Sequence, residues 1–510
     1  MIMRGLVSSA VALSLLLSGA AAIAQPQYTS QPDTPTWLKD RRYAEGSGIQ
    51  AGDLEIHPGI AGEFGYDSNW FQRSNQQNVD NGPPLAPVVP ALELRVTPSL
   101  YLSTVGVQRR QDEGPLETPA VAFRAGVNAT YRAYFGVTSD ASQPQNDIAG
   151  QANVGGAADA RLDILPNRPV GGAIFASYGR TILPNEGNAD PNVSFNQDTI
   201  TAGAEIAILP GAGTLDWHLG YRFATTLFEQ SVAQPFTNYT NEAYLRGRWR
   251  FRPRTAMLYD GTLDFFTYTN ADEARAQGLV SSTPVRARLG LNGLITERFA
   301  VLAMLGWGAS FYDNKIPEVQ QFDSLIAQAE LKWYLAASPG IARATDIGLA
   351  LSSISLGFTR DFQNSYLGNY DILDRGYLKF DYMFAGRAII SVQGGVGAVQ
   401  YPTLYWLVAG ATPNAPLVAE QRGAAFTDVV ADASVFGEYR FTNTFGLNAT
   451  VRYSETFSNT KVEDVVPVPG IGPPPGTTGY YGMAWQRVEA YLGLRLDAWR
   501  RRTGCGMLAA

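Results

Sequence analysis

The feature that most constrains this chain is a two-residue alternation of apolar and polar side chains, recurring in short segments from about residue 53 to residue 499. The clearest segment runs from Arg487 to Asp497, where Arg487, Glu489, Tyr491, Arg495 and Asp497 alternate with Val488, Ala490, Leu492, Leu494 and Leu496. On a strand these two sets fall on opposite faces, whereas a helix scatters the same charges around its circumference. One face suits water and the other suits lipid.

About 18 such segments follow one another, an even number as closed bacterial barrels use. They include Ala149 to Leu165, Ser324 to Ala336, Ile347 to Phe362 and Tyr481 to Trp499. Apart from two long connectors on the same side, Val105 to Pro119 and Ala337 to Asp346, tight turns recur at every second junction: Asn167-Arg168, Gly211-Ala212, Arg252-Pro253-Arg254, Glu297-Arg298, Gly386-Arg387 and Asn443-Thr444. The connectors between these are longer and rich in Pro, Asn and Gly, such as Asn69 to Pro90, Leu183 to Asn196, Tyr401 to Ala425 and Ser458 to Tyr480. Short turns on one rim and long loops on the other are expected of an all-β, antiparallel transmembrane barrel, with the turns periplasmic and the loops extracellular.

The first residues read as an export signal: Arg4, an apolar run from Leu6 to Leu17, then a small-residue site ending at Ala24. We expect a signal peptide over residues 1–24, a periplasmic arm over 25–52, the barrel over 53–499 and a tail over 500–510, placing the chain in the outer membrane. The arm is too short to fold as a plug domain. The single cysteine, Cys505, lies in the tail and forms no internal disulfide. Charged residues make up only 17% of the chain, against roughly 25% in soluble domains, which fits a wall that averages a lipid face with a lumen face.

By parity the lumen face carries Glu93, Arg95, Arg124, Arg132, Arg161, Arg222, Glu242, Arg246, Arg248, Arg250, Asp260, Asp264, Arg286, Arg288, Lys332, Lys379, Asp381, Arg487, Glu489, Tyr491 and Arg495. A register centred on Pro253 sets Arg246 opposite Asp260. Both signs are mixed, which argues against a one-sign selectivity ring. Tyr101, Tyr134, Tyr244, Tyr377 and Tyr491 share that parity and read either as a stacking track for sugar rings or as ordinary packing. Truncating Arg487 is expected to be tolerated, whereas arginine at Leu492 or Leu494 is not.

Charge also divides by rim. The long loops hold Asp67, Asp80, Asp140, Asp147, Glu186, Asp190, Asp272, Glu273, Glu463 and Asp464, and the tight turns are basic. The acidic loops read as solvated surface, or as a site for divalent cations or for repelling acidic polymer. Catalysis has little support: there are two histidines, His57 and His218, no nucleophile elbow and no clustered metal ligands. No cofactor or metal is expected, and the net charge of −7 disfavours nucleic acid.

The first strand carries Gly52, Pro58 and then Tyr66-Asp67-Ser68-Asn69-Trp70-Phe71. This resembles the opening motif of a β-barrel porin family of Gram-negative outer membranes whose members are often linked to secretion of capsule or exopolysaccharide. Asp67 and Asn69 are suited to side-chain turns at the rim, and Tyr66, Trp70 and Phe71 to the interfacial aromatic girdle. The resemblance implies a conduit for a polysaccharide chain that works with a periplasmic polysaccharide export protein. Any such barrel also has outer-membrane lipids and the barrel assembly machinery as partners. An assembly signal usually ends the chain on an aromatic residue, but here Trp499 breaks parity and a tail follows, so an internal signal is expected. A nutrient or sugar porin and a surface adhesion barrel share the same pattern.

Overall fold

The computed structural model describes residues 49–51, 54–74, 88–104, 120–136, 148–166, 168–182, 195–209, 214–313, 319, 321–335, 352–384, 387–408, 418–442, 445–464, 479–482 and 484–497. The segments expected as signal peptide (residues 1–24) and most of the expected arm (25–52), with Gly52, Trp499, the expected tail with Cys505, and Asp80, Asp140, Asp147, Glu186 and Asp190, lie outside them.

An 18-strand antiparallel sheet closes on itself. Its strands are β1 (Leu54–Asp67), β2 (Ala91–Thr104), β3 (Val121–Gly136), β4 (Asn153–Ile164), β5 (Val170–Thr181), β6 (Gln197–Ile208), β7 (Leu215–Phe228), β8 (Asn238–Arg252) and β9 (Thr255–Tyr268). They continue as β10 (Ser282–Leu294), β11 (Phe299–Tyr312), β12 (Phe322–Tyr334), β13 (Ser353–Ser365), β14 (Asn369–Phe384), β15 (Ala388–Tyr401), β16 (Phe426–Arg440), β17 (Phe445–Phe457) and β18 (Trp485–Asp497). Each strand pairs with its sequence neighbours, and β1 pairs with β18 from Gly59↔Asp497 to Asp67↔Glu489.

Closure begins one residue after Pro58, which has no N–H to contribute to a ladder. On that same edge Ile49–Ala51 pairs with the first residues of β1, so the end of the arm continues the sheet. The segment expected from Ala149 begins as a strand only at Asn153, because residues 149–151 form a 3-10 turn. The strand expected from Ser324 to Ala336 spans Phe322–Tyr334, and the described part of the one expected from Ile347 begins at Ser353.

Burial follows the alternation. Ile60, Phe64, Leu94, Ile174, Leu219, Leu305, Leu356, Val396 and Leu492 point outward and are exposed, while their strand neighbours face inward. A wall that is apolar outside and hydrogen-bonded around its full circumference is built to stand in a membrane. No helix among the described residues is long and apolar enough to cross one.

Candidate conduit: the lumen wall and an inward hairpin

Glycine on one strand and an aromatic ring on the next set the texture of the inner wall. The Tyr491 ring lies over Gly65, Tyr101 over Gly126, Tyr244 over Gly220, Tyr377 over Gly357 and Phe175 over Gly203, each so close that an added Cβ would stand within 2.5 Å of the ring. These rings lie flat against the backbone, and arginines cover several of them. The guanidinium of Arg95 sits 4.0 Å from the Tyr491 centroid and that of Arg246 sits 4.8 Å from Tyr244. Of the two sequence readings, packing therefore applies to Tyr101, Tyr244 and Tyr491, all buried. At these positions the inner wall presents guanidinium edges and carboxylates, not ring faces.

Charged side chains of the wall form connected groups. At the closure seam, Arg95 donates to Glu93 at 2.7 Å, Tyr491 donates to Glu93 at 2.8 Å, and Arg132 stands 3.7 Å from the same carboxylate. Beside them Arg487 donates to Asp67 at 2.5 Å and lies 3.4 Å from Glu489. Further round, Arg161 bonds Glu205 and lies 2.8 Å from Asp163, Arg248 reaches Asp216 at 2.6 Å, and Arg222 bonds Glu242. His218 bridges Asp216 at 2.7 Å and Glu205 at 3.7 Å. Arg246 and Asp260 are direct cross-strand partners, with Nε 3.1 Å from the carboxylate.

The groups continue with Arg286 between Asp264 (3.2 Å) and Asp361 (3.3 Å), and Arg288 on Asp361 at 2.5 Å. Lys379 meets Asp381 at 3.0 Å, Arg495 meets Glu438 at 3.7 Å, and Lys332 lies over the Tyr334 ring. Arg124 and Arg250 have lumen parity but sit exposed near the short-turn rim. Glu205 and Asp361 were not singled out from the sequence. Glu205 was legible by parity with Thr201 and Gly203, whereas the role of Asp361 depends on a fold that parity does not encode.

That fold is an inward hairpin. The β12–β13 ladder stops at Ala327↔Arg360, while β13 and β14 remain paired up to Ser365↔Asn369. Residues 361–371 thus leave the wall and lie over the inner faces of β10 to β12. Phe362 packs 4.3 Å from the Phe322 ring, and Arg286 donates to its carbonyl at 2.7 Å. The turn uses Gly368 and Asn369 at positive φ, which these residue types tolerate. Asn369 accepts from Val280 N–H at 2.8 Å and donates to the Gly278 carbonyl at 2.9 Å. Tyr366 reaches the β7–β8 connector, its ring edge-on to Phe228 and Phe236 and its hydroxyl accepting from Asn238. Burial there pushes the Tyr366 phenol up.

A second inward element supports the first. In the β15–β16 connector, Leu404–Val408 pairs with Val418–Gly423, and Leu404 packs on Leu367, Leu373, Val399 and Tyr401. The long-loop mouth is narrowed by both. The opening motif also turns inward, contrary to the expectation for two of its aromatics. Tyr66 does face outward, but Trp70 and Phe71 are buried, with Trp70 packed 4.3 Å from lumen-facing Tyr134. The reason is local. Asn69 N–H bonds Asp67, its side chain exchanges bonds with Arg73, and its Nδ2 also donates to the Gln486 carbonyl of β18, so the chain is pinned across the seam. Among the described residues no group of three or more His, Cys, Asp or Glu is arranged to hold a metal ion.

No family model matches the chain, and no curated protein matches it. Among solved structures it is similar to a variant of the ferric enterobactin receptor PfeA of Pseudomonas aeruginosa, with a TM-score of 0.43 at 10% identity, covering 88% of this chain and 81% of that one. It is similar to OpdK of the same organism, solved with vanillate, with a TM-score of 0.40 at 11% identity, covering 87% and 99%. P. aeruginosa OpdQ gives 0.40 at 10%, covering 88% and 100%. Likeness at this level says nothing of what this chain carries.

Proposed function

We propose that this chain is a passive outer-membrane conduit through which a hydrated polysaccharide leaves the cell, using no cofactor or nucleotide. The observation that carries this reading is the neutralised wall: arginine and carboxylate groups meet in pairs and triads around the lumen, with no ring of one sign among the described residues. Such a surface offers many hydrogen-bonding edges but no deep charged trap. That suits repeated weak contact with sugar hydroxyls and fast release. The resemblance of the opening motif adds the direction, outward, and a periplasmic polysaccharide export protein as partner.

A second reading, a porin for small solutes or sugars, is favoured by the hairpin at 361–371, which narrows the mouth. Planar-bilayer recording on the purified chain separates the two. A conduit for polymer passes current that long neutral glucans interrupt in proportion to their length. A solute porin passes current that short sugars reduce and that long glucans leave unchanged.

A further inference from the structure

The wall arginines described above have carboxylate partners almost throughout, whereas those on the described short turns have none among the described residues. Arg168 (β4–β5), Arg252 and Arg254 (β8–β9), Arg298 (β10–β11) and Arg387 (β14–β15) are all exposed. None of their guanidinium groups has a carboxylate partner among the described residues. The only carboxylate on the described residues of these turns is Glu297. Antiparallel alternation puts all four turns on the same rim.

Their height is fixed by what precedes or follows them. Arg252 follows outward Phe251, Arg298 precedes outward Phe299, Arg387 lies three residues after outward Phe384, and Arg168 three after exposed Leu165. At about 3.3 Å per residue, each arginine stands within roughly 10 Å of the edge of the apolar belt. That is where a bilayer carries its phosphates, and guanidinium recognises phosphate oxygens bidentately.

We infer that the short-turn rim is a contact ring for anionic phospholipid headgroups of the leaflet it faces, independent of what the lumen carries. The arginines are spread around the circumference, from the β4–β5 turn to the β14–β15 turn, and flank the lipid belt instead of forming one patch. A folded partner wants a contiguous surface, whereas a lipid annulus wants this one.

The test reconstitutes the full chain in nanodiscs of phosphatidylcholine with a minor fraction of phosphatidylglycerol and measures the lipid retained after mild detergent washing. Wild type should enrich phosphatidylglycerol by about fivefold, given the worth of a single arginine near an anionic surface. High salt should abolish the enrichment, a readout that needs no variant. The variant with Arg168, Arg252, Arg254, Arg298 and Arg387 all changed to Gln should retain the two lipids in bulk proportion, and the all-Lys variant, which keeps the charge but loses the bidentate fork, should keep only part of the preference. Wild-type retention at bulk proportion would overturn the inference, as would enrichment unchanged in the Gln variant or abolished by millimolar inorganic phosphate. So would arginine-dependent binding of a soluble acidic glycan without lipid preference, which would assign the ring to polymer.

Discussion

The ring of Tyr244 on β8 lies flat over Gly220 of β7, where an added Cβ would stand 2.2 Å from the ring carbon Cζ. The ring has nowhere to go, because Tyr244 is buried and its hydroxyl donates to Glu205 at 2.9 Å. Gly220→Ala should therefore cost about 1 to 3 kcal/mol through overpacking. The double variant Gly220→Ala/Tyr244→Ala should cost less than the sum of the two single changes. Urea unfolding of the barrel in lipid vesicles, followed by tryptophan fluorescence, measures both.

Asp67 and Arg487 clasp the first strand to the last. Asp67 is fully buried, and Ser68 adds its own pair of bonds to Val488 across the seam. The alternation alone makes Arg487→Ala look harmless, since Arg487 faces the lumen. The structure reverses that expectation: truncation leaves a buried carboxylate without its main counter-charge, at a cost of about 3 to 5 kcal/mol. The folded fraction, read as heat-modifiable mobility on a gel, should fall for Arg487→Ala and recover in part for Arg487→Ala/Asp67→Asn.

Leu492 is 65% exposed on the outer face of β18, next to lumen-facing Tyr491. Leu492→Arg near the membrane midplane should destabilise the inserted barrel by roughly 2 to 4 kcal/mol. Equilibrium folding into vesicles measures it, and Leu492→Phe is the control that keeps the face apolar.

The docked hairpin gives a fourth prediction. Phe362, Tyr366 and Asn369 hold residues 361–371 against the inner wall. The triple variant Phe362→Ala/Tyr366→Ala/Asn369→Ala should release the hairpin and raise single-channel conductance with larger open-channel fluctuation. An unchanged, quiet conductance would mean that the hairpin does not limit the pore.

Strands were legible because their information is local. Each barrel segment states its two faces within a dozen residues, and the Arg252-Pro253-Arg254 turn states the register that pairs Arg246 with Asp260. The hairpin was not legible because nothing in Asp361 to Asn369 distinguishes an inward arm from a strand end. Its direction is decided by Val280, Gly278 and Asn238, far away in sequence. Trp70 and Phe71 fail for a related reason. Aromatics at a strand end suit a girdle by composition, whereas the bonds of Asn69 to Asp67, to Arg73 and, across the seam, to Gln486 turn them inward. Glycine opposite an aromatic was readable in principle, since each ring and its glycine lie on neighbouring strands of known register.

The most direct test of the conduit is the distribution of exopolysaccharide between the cell surface and the envelope, in a strain lacking this chain and in the same strain complemented with it. Export through this chain requires polymer to be trapped inside the envelope of the deletion strain and restored to the surface by complementation. Surface polymer that is unchanged by the deletion would contradict it and leave the small-solute porin.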